Sequence, residues 1–110
     1  MSFYKPEKLP KLMVAPNGAR KVKKDHPAIP LTTSEIVEVA KSCNKAGADA
    51  IHFHVRDEEG QHVLDSGLYK ETLNELEHQV PTMHLQITTE AVGKYSAADM
   101  RKVAYDVSPP

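Results

Sequence analysis

The chain has 110 residues, enough for one domain with a modest core and too few for two. Fourteen basic and fifteen acidic residues leave a net charge of −1 with no long run of one sign, which excludes the electrostatic footprint of a nucleic-acid binder and a basic amphipathic helix for a membrane surface. No stretch approaches ~18 consecutive apolar residues, so no membrane span is expected, and the single Cys43 excludes an internal disulfide and fits a reducing cytoplasm. The opening MSFYKPEKLP lacks the apolar run of a secretory signal.

In chain order, KLMVAP (11–16) reads as a first strand, followed by a polar loop rich in Lys and Pro. The one basic cluster, KVKK (21–24), reads as solvated and not as a phosphate site. TTSE then supplies a capping box, Thr32 accepting from the amide of Glu35 and the Glu35 carboxylate reaching back. Ile36, Val39, Ala40 and Cys43 recur at helical spacing, with Cys43 as buried filler, and Gly47 offers a left-handed stop. AIHFHVRD (50–57) reads as the second strand and DEEGQHVLDSG as a turn. A second helix carries Leu68, Thr72, Leu73 and Leu76 behind a cap at Asp65 or Ser66. TMHLQITT (82–89) is the third strand. A third helix starts at Ser96, with Asp99 three residues on and Met100, Val103 and Ala104 as its apolar side.

The order β-α-β-α-β-α implies right-handed crossovers and a parallel sheet. Parallel sheets are covered on their faces or closed into barrels. This bears on AIHFHVRD, because alternation places Ile51, Phe53 and Val55 on one face and His52, His54 and Arg56 on the other. Two imidazoles on a sheltered face are hard to satisfy without a cation, and neutral imidazole suits zinc, copper, iron and nickel. The plain alternative is a hydrogen-bonded core pair. His84, offset toward the start of the third strand, reads as packing or as support behind the pair. His62 and His78 are expected at the surface, and His26 against the entry of the first helix.

Arg56 either fixes a ligating ring, binds a carboxylate in bidentate fashion, or closes an internal ion pair. Asn17 and Arg20 in APNGAR, beside a permissive Gly18, are positioned to face a ligand at the exit of the first strand. Thr88, Thr89 and Glu90 stand at the exit of the third, where hydroxyls hold a substrate carboxylate or cap the next turn.

Assembled, MVAPNGAR, DHPAIPLTTSEI, AGADAIHFHVRDEEGQHVLD and LQITTEAVGKY resemble, in order and spacing, the N-terminal part of the β-keto acid cleavage enzyme family. The resemblance implies a (β/α)8 TIM barrel, with the 110 residues supplying only the first three βα units as a single partial domain. It implies a divalent metal, normally zinc, on His52 and His54, and acyl transfer in which a β-keto acid and acetyl-CoA give acetoacetate and a new acyl-CoA. It carries a substrate-holding role to Thr88. Arg20 stands where some members have an acidic residue, so a substrate with a neutral or anionic distal group is expected. The family's third metal ligand, a glutamate, and its general base come from later strands of a barrel of ~250 residues. No catalytic base is therefore assigned, and the isolated chain is expected to be inactive and to form a homo-oligomer. Two other readings remain, a non-catalytic metal-binding or association fragment and a metal-dependent hydrolase barrel with its own His-x-His strand pair.

Overall fold

The computed structural model describes residues 9–90 and 92–110, so most of the opening stretch read for a secretory signal lies outside the described residues. Six elements follow in the expected alternation. They are β1 (Met13–Val14), α1 (Thr33–Lys45), β2 (Ala50–His52), α2 (Ser66–Gln79), β3 (His84–Gln86) and α3 (Ala97–Val107). The three strands form one parallel sheet in the order β1-β2-β3, with Val14 beside Ile51 and His52 beside Gln86. Among the described residues no helix is long and apolar enough to cross a membrane.

The strands are much shorter than the extended runs 11–16, 50–57 and 82–89, and the reason is local. Pro16 has no amide to donate, so β1 cannot continue as a ladder. The side chain of Asn17 takes over, donating from Nδ2 to the His54 carbonyl (2.7 Å) while its Oδ1 accepts from the His54 amide (3.1 Å). The backbone after His52 is thus held by a side-chain amide that imitates a strand neighbour, with a third bond from Nδ2 to the Pro30 carbonyl (3.0 Å).

Alternation survives past the ladder. Ile51, Phe53 and Val55 are fully buried and join Met83 and Leu85 under the helices, where Ile36, Ala40, Tyr69, Leu73, Leu76 and Val103 complete the core. α1 packs on α2 and α2 on α3. The α2 stripe starts at Tyr69, fully buried, while Leu68 is only half-buried; Tyr69, Thr72, Leu73 and Leu76 keep the same helical spacing. On α3 the buried side is Val103 and Val107, and Ala104 is exposed. Cys43 is half-buried against the core.

The helix ends follow the capping chemistry written in the sequence. Thr32 and Glu35 form the expected box on α1, Ser96 and Asp99 form another on α3, and Asp65 caps α2. Gly47, at φ +115°, turns the chain after α1 while the Ala48 amide reaches back to the Cys43 carbonyl (2.9 Å). The Glu35 carboxylate also meets Lys23 Nζ at 2.6 Å, and Lys23 further donates to the carbonyls of Pro27 and Ile29. The basic cluster is therefore not wholly solvated, because one of its lysines ties the loop to the start of α1.

Lys23 first, then the amides of Leu31 and Thr32, hold the Glu35 carboxyl down at about 2. A depressed carboxyl stabilises the fold above its unfolded value of 4.5, and that contribution disappears as pH falls toward 2. Glu35→Gln is expected to lose about 1 kcal/mol at pH 7, the pair being partly exposed and screened. Thermal melts should show the gap between the two proteins closing as pH falls from 4.5 to 2.5.

Candidate metal and substrate site

The register that puts His52 beside Gln86 sets the first ring. His52 Nδ1 lies 2.6 Å from Gln86 Oε1, an oxygen that only accepts, so Nδ1 carries a proton and Nε2 is the nitrogen turned away from Gln86. His54 follows two residues later on the same face, with ring centroids 5.4 Å apart and planes at 71°. His52 is half-buried, and His54 is buried at 4% exposure. Burial first, then the neighbouring His62, His52 and Arg56, hold the His54 imidazole down at about 4, so at neutral pH it is an uncharged donor.

Two imidazoles on one sheltered face fit a borderline metal such as zinc as far as two ligands go. Among the described residues no group of three His, Cys, Asp or Glu is arranged to hold a metal ion. His84 does not join the pair: it sits beside Ala50, two residues short of the position opposite His52 and toward the strand start.

His62 is the main correction. It was expected at the surface, yet it is 3% exposed. The turn Asp57–Gly60 folds the chain back, Gly60 taking φ +81°, so that His62 pairs antiparallel with Arg56. Its ring packs on His54 at 5.2 Å between centroids, with Nδ1 to Nδ1 at 3.4 Å, and its Nε2 meets the Glu90 carbonyl. The signal was present: Asp-x-x-Gly between extended residues makes a tight reversal, and a reversal there carries position 62 back to position 56. His78 is exposed as expected, donating to the Asn74 carbonyl. His26 is also exposed and does not pack on α1; its Nδ1 accepts from the Ala28 amide.

Arg56 takes none of the partners expected for it. Its guanidinium is buried and donates to four backbone carbonyls, from Nη1 to Gly60 (2.6 Å) and from Nη2 to Asn17 (3.2 Å), Gly18 (2.8 Å) and Lys21 (2.9 Å). Nη2 has two hydrogens, so three acceptors share them. Nε is buried and has no partner among the described residues. Arg56 thus pins the loop after β1 to the turn after β2. Asn17 is buried and its amide is committed to His54 and Pro30, so it too acts behind the site.

At the exit of β3, Thr88 Oγ1 accepts from the Glu90 amide (3.1 Å), which is the turn-capping alternative, while its hydroxyl hydrogen has no acceptor among the described residues. The Thr88 carbonyl accepts from the phenol of Tyr69 (2.9 Å). Glu90 Oε2 lies 3.8 Å from His54 Nδ1. Arg20 is exposed in the loop after β1. The structure therefore gathers His52, His54, His62 and Glu90 at one end of the sheet. A groove of about 920 Å³ between the N-terminal ends of α1 and α2 and the Asp57–Gly60 turn includes none of these four.

A 3-keto-5-aminohexanoate cleavage enzyme from Fusobacterium nucleatum is 35% identical over 72 residues, 66% of this chain and 26% of that protein, and one of the same name from Acetoanaerobium sticklandii matches to the same extent. A 3-oxoadipate:acetyl-CoA acetyltransferase from Cupriavidus necator is 31% identical over 78 residues, 71% of this chain and 28% of that protein. The chain thus spans little more than a quarter of the length of the curated relatives it matches. The family model described as beta-keto acid cleavage enzyme matches residues 11–109, through every described strand and helix, and with that the chain belongs to the β-keto acid cleavage enzyme family.

Proposed function

We propose that this chain supplies the first three βα units of a (β/α)8 barrel that cleaves a β-keto acid with acetyl-CoA, releasing acetoacetate and a new acyl-CoA. The observation that carries the reading is the histidine pair, two rings on one face at the end of a parallel sheet, with Nδ1 engaged on each. His52 and His54 would hold a divalent transition metal, zinc or another that imidazole accepts. When bound, such an ion supplies Lewis-acid polarisation to the oxygens of a keto acid.

The chain's own residues divide the remaining work. The Thr88 hydroxyl hydrogen is free to donate to a substrate carboxylate. Glu90, 45% exposed, presents its carboxylate to the same space. Arg20 suits an anionic distal group, and the 3-oxoadipate in the name of the Cupriavidus relative ends in a second carboxylate. Asn17 and Arg56 position the strand exits through backbone bonds. The exposed Leu12 and Met13 along β1 favour self-association, and a homo-oligomer in the cytoplasm is part of the proposal.

The donor set on this chain is two imidazoles, so we expect metal uptake without turnover from the 110 residues alone. That also favours a second reading, a non-catalytic metal-binding fragment; the family match gives no support to a hydrolase barrel. Metal analysis after equilibration with zinc should find the ion retained by the chain and lost from the His52→Ala/His54→Ala variant. Equal retention by both would overturn the assignment. Acetoacetate release from a β-keto acid and acetyl-CoA, once the remaining strands are supplied, separates the enzyme from the fragment.

A further inference from the structure

Three groups in a row determine which nitrogen of His54 carries a proton. The Glu90 carbonyl can only accept, so the His62 nitrogen that meets it, Nε2, must donate. A neutral His62 then has its lone pair on Nδ1. That lone pair faces His54 Nδ1 at 3.4 Å, the long end of hydrogen-bond range, and a lone pair there requires the His54 proton to sit on Nδ1. His54 Nε2 is left bare.

We infer that His62 is a positioning residue: a backbone carbonyl fixes its tautomer, and it fixes the tautomer of His54 in turn. The inference rests on the metal reading of the histidine pair and deepens it, by naming the residue that turns the lone pair of one ligand toward the ion. Metal-ligating histidines generally donate their other N–H to such a partner. On His52 the partner is the side-chain amide of Gln86, and on His54 it is a second, buried imidazole. The Glu90 carboxylate is a poorer candidate for the role, at 3.8 Å and on a half-exposed side chain. The antiparallel pairing of His62 with Arg56, and the grip of Arg56 on the Gly60 carbonyl, hold the turn so that the ring stays in place.

Long-range proton–nitrogen correlation spectra of the 110-residue chain, labelled at histidine nitrogen and free of metal, test this directly. The expected result is His54 protonated on Nδ1 and His62 on Nε2. His62→Leu removes the acceptor and should release His54 into a mixture of tautomers, with zinc affinity falling about 10–100-fold. His62→Asn offers an amide oxygen near the place of Nδ1 and should restore the tautomer and most of the affinity. A proton on Nε2 of His54 in the unmutated chain, or an unchanged tautomer and affinity in His62→Leu, would overturn the inference. Should His62→Leu fail to fold, the unmutated chain and His62→Asn decide. If the unmutated chain binds no zinc, the metal reading fails while the tautomer measurement still decides the role of His62.

Discussion

Arg56→Met is expected to destabilise the chain by about 4 kcal/mol or more, enough to unfold much of it at room temperature. The side chain is 4% exposed, and four carbonyls, three from the loop after β1 and one from the turn after β2, converge on its two terminal nitrogens. Methionine fills similar space without a donor. Each carbonyl left buried and unpaired costs about 1–3 kcal/mol, reduced where relaxation admits water. Arg56→Lys should recover only part of the loss, because one ammonium cannot span acceptors arranged around a planar fork. Urea titration followed by circular dichroism measures both variants. A loss below about 1 kcal/mol for Arg56→Met would mean that the loops keep their geometry without the guanidinium.

The same residue shows where sequence reading succeeds and where it stops. Period and capping are local, so α1, α2 and α3 and their N-caps at Thr32, Asp65 and Ser96 were legible from a few neighbouring residues each. Alternation in AIHFHVRD was legible for the same reason, and it assigned Ile51, Phe53 and Val55 to the core. The partners of Arg56 were not legible, because they are carbonyls and every residue has one. A sequence advertises a carboxylate but not the backbone oxygen of Gly18 or Lys21. Asn17 was noticed as polar and well placed. That its amide would imitate a strand neighbour for His54 depends on Pro16 ending β1 just before it. His62 reads as surface because it stands in a turn, whereas a tight reversal returns its far end to the strand it left.

These misreadings share a consequence for the site. Around His52 and His54 the supporting contacts come from loop backbone and from residues that look unremarkable in a row of letters. Gln86 orients one ring through register, and Asn17 fixes the backbone of the other. The strand pattern brings the two rings to one face, but the bonds that aim each ring are found only in the folded arrangement.

Tyr69→Ala is the second large effect, at about 3–5 kcal/mol, because a fully buried aromatic leaves a cavity that the core closes only in part. Tyr69 packs against Phe53 at 5.9 Å between ring centroids and holds the exit of β3 through its bond to the Thr88 carbonyl. Tyr69→Phe keeps the packing and drops that bond, so a smaller loss of about 1–2 kcal/mol is expected. Burial pushes the phenol up to about 12. An acid raised above its unfolded value of 10 loses its contribution as pH climbs from 10 to 12, because only the unfolded chain releases the proton readily. Alkaline unfolding monitored by tyrosinate absorbance should therefore be steeper in the unmutated chain than in Tyr69→Phe. The Thr88 carbonyl lies two residues before the Glu90 carbonyl that meets His62, so a loosened β3 exit should also weaken zinc retention in Tyr69→Phe. A phenylalanine variant with unchanged metal content and an unchanged alkaline limb would show that α2 anchors the site by packing alone, with no part played by the hydroxyl.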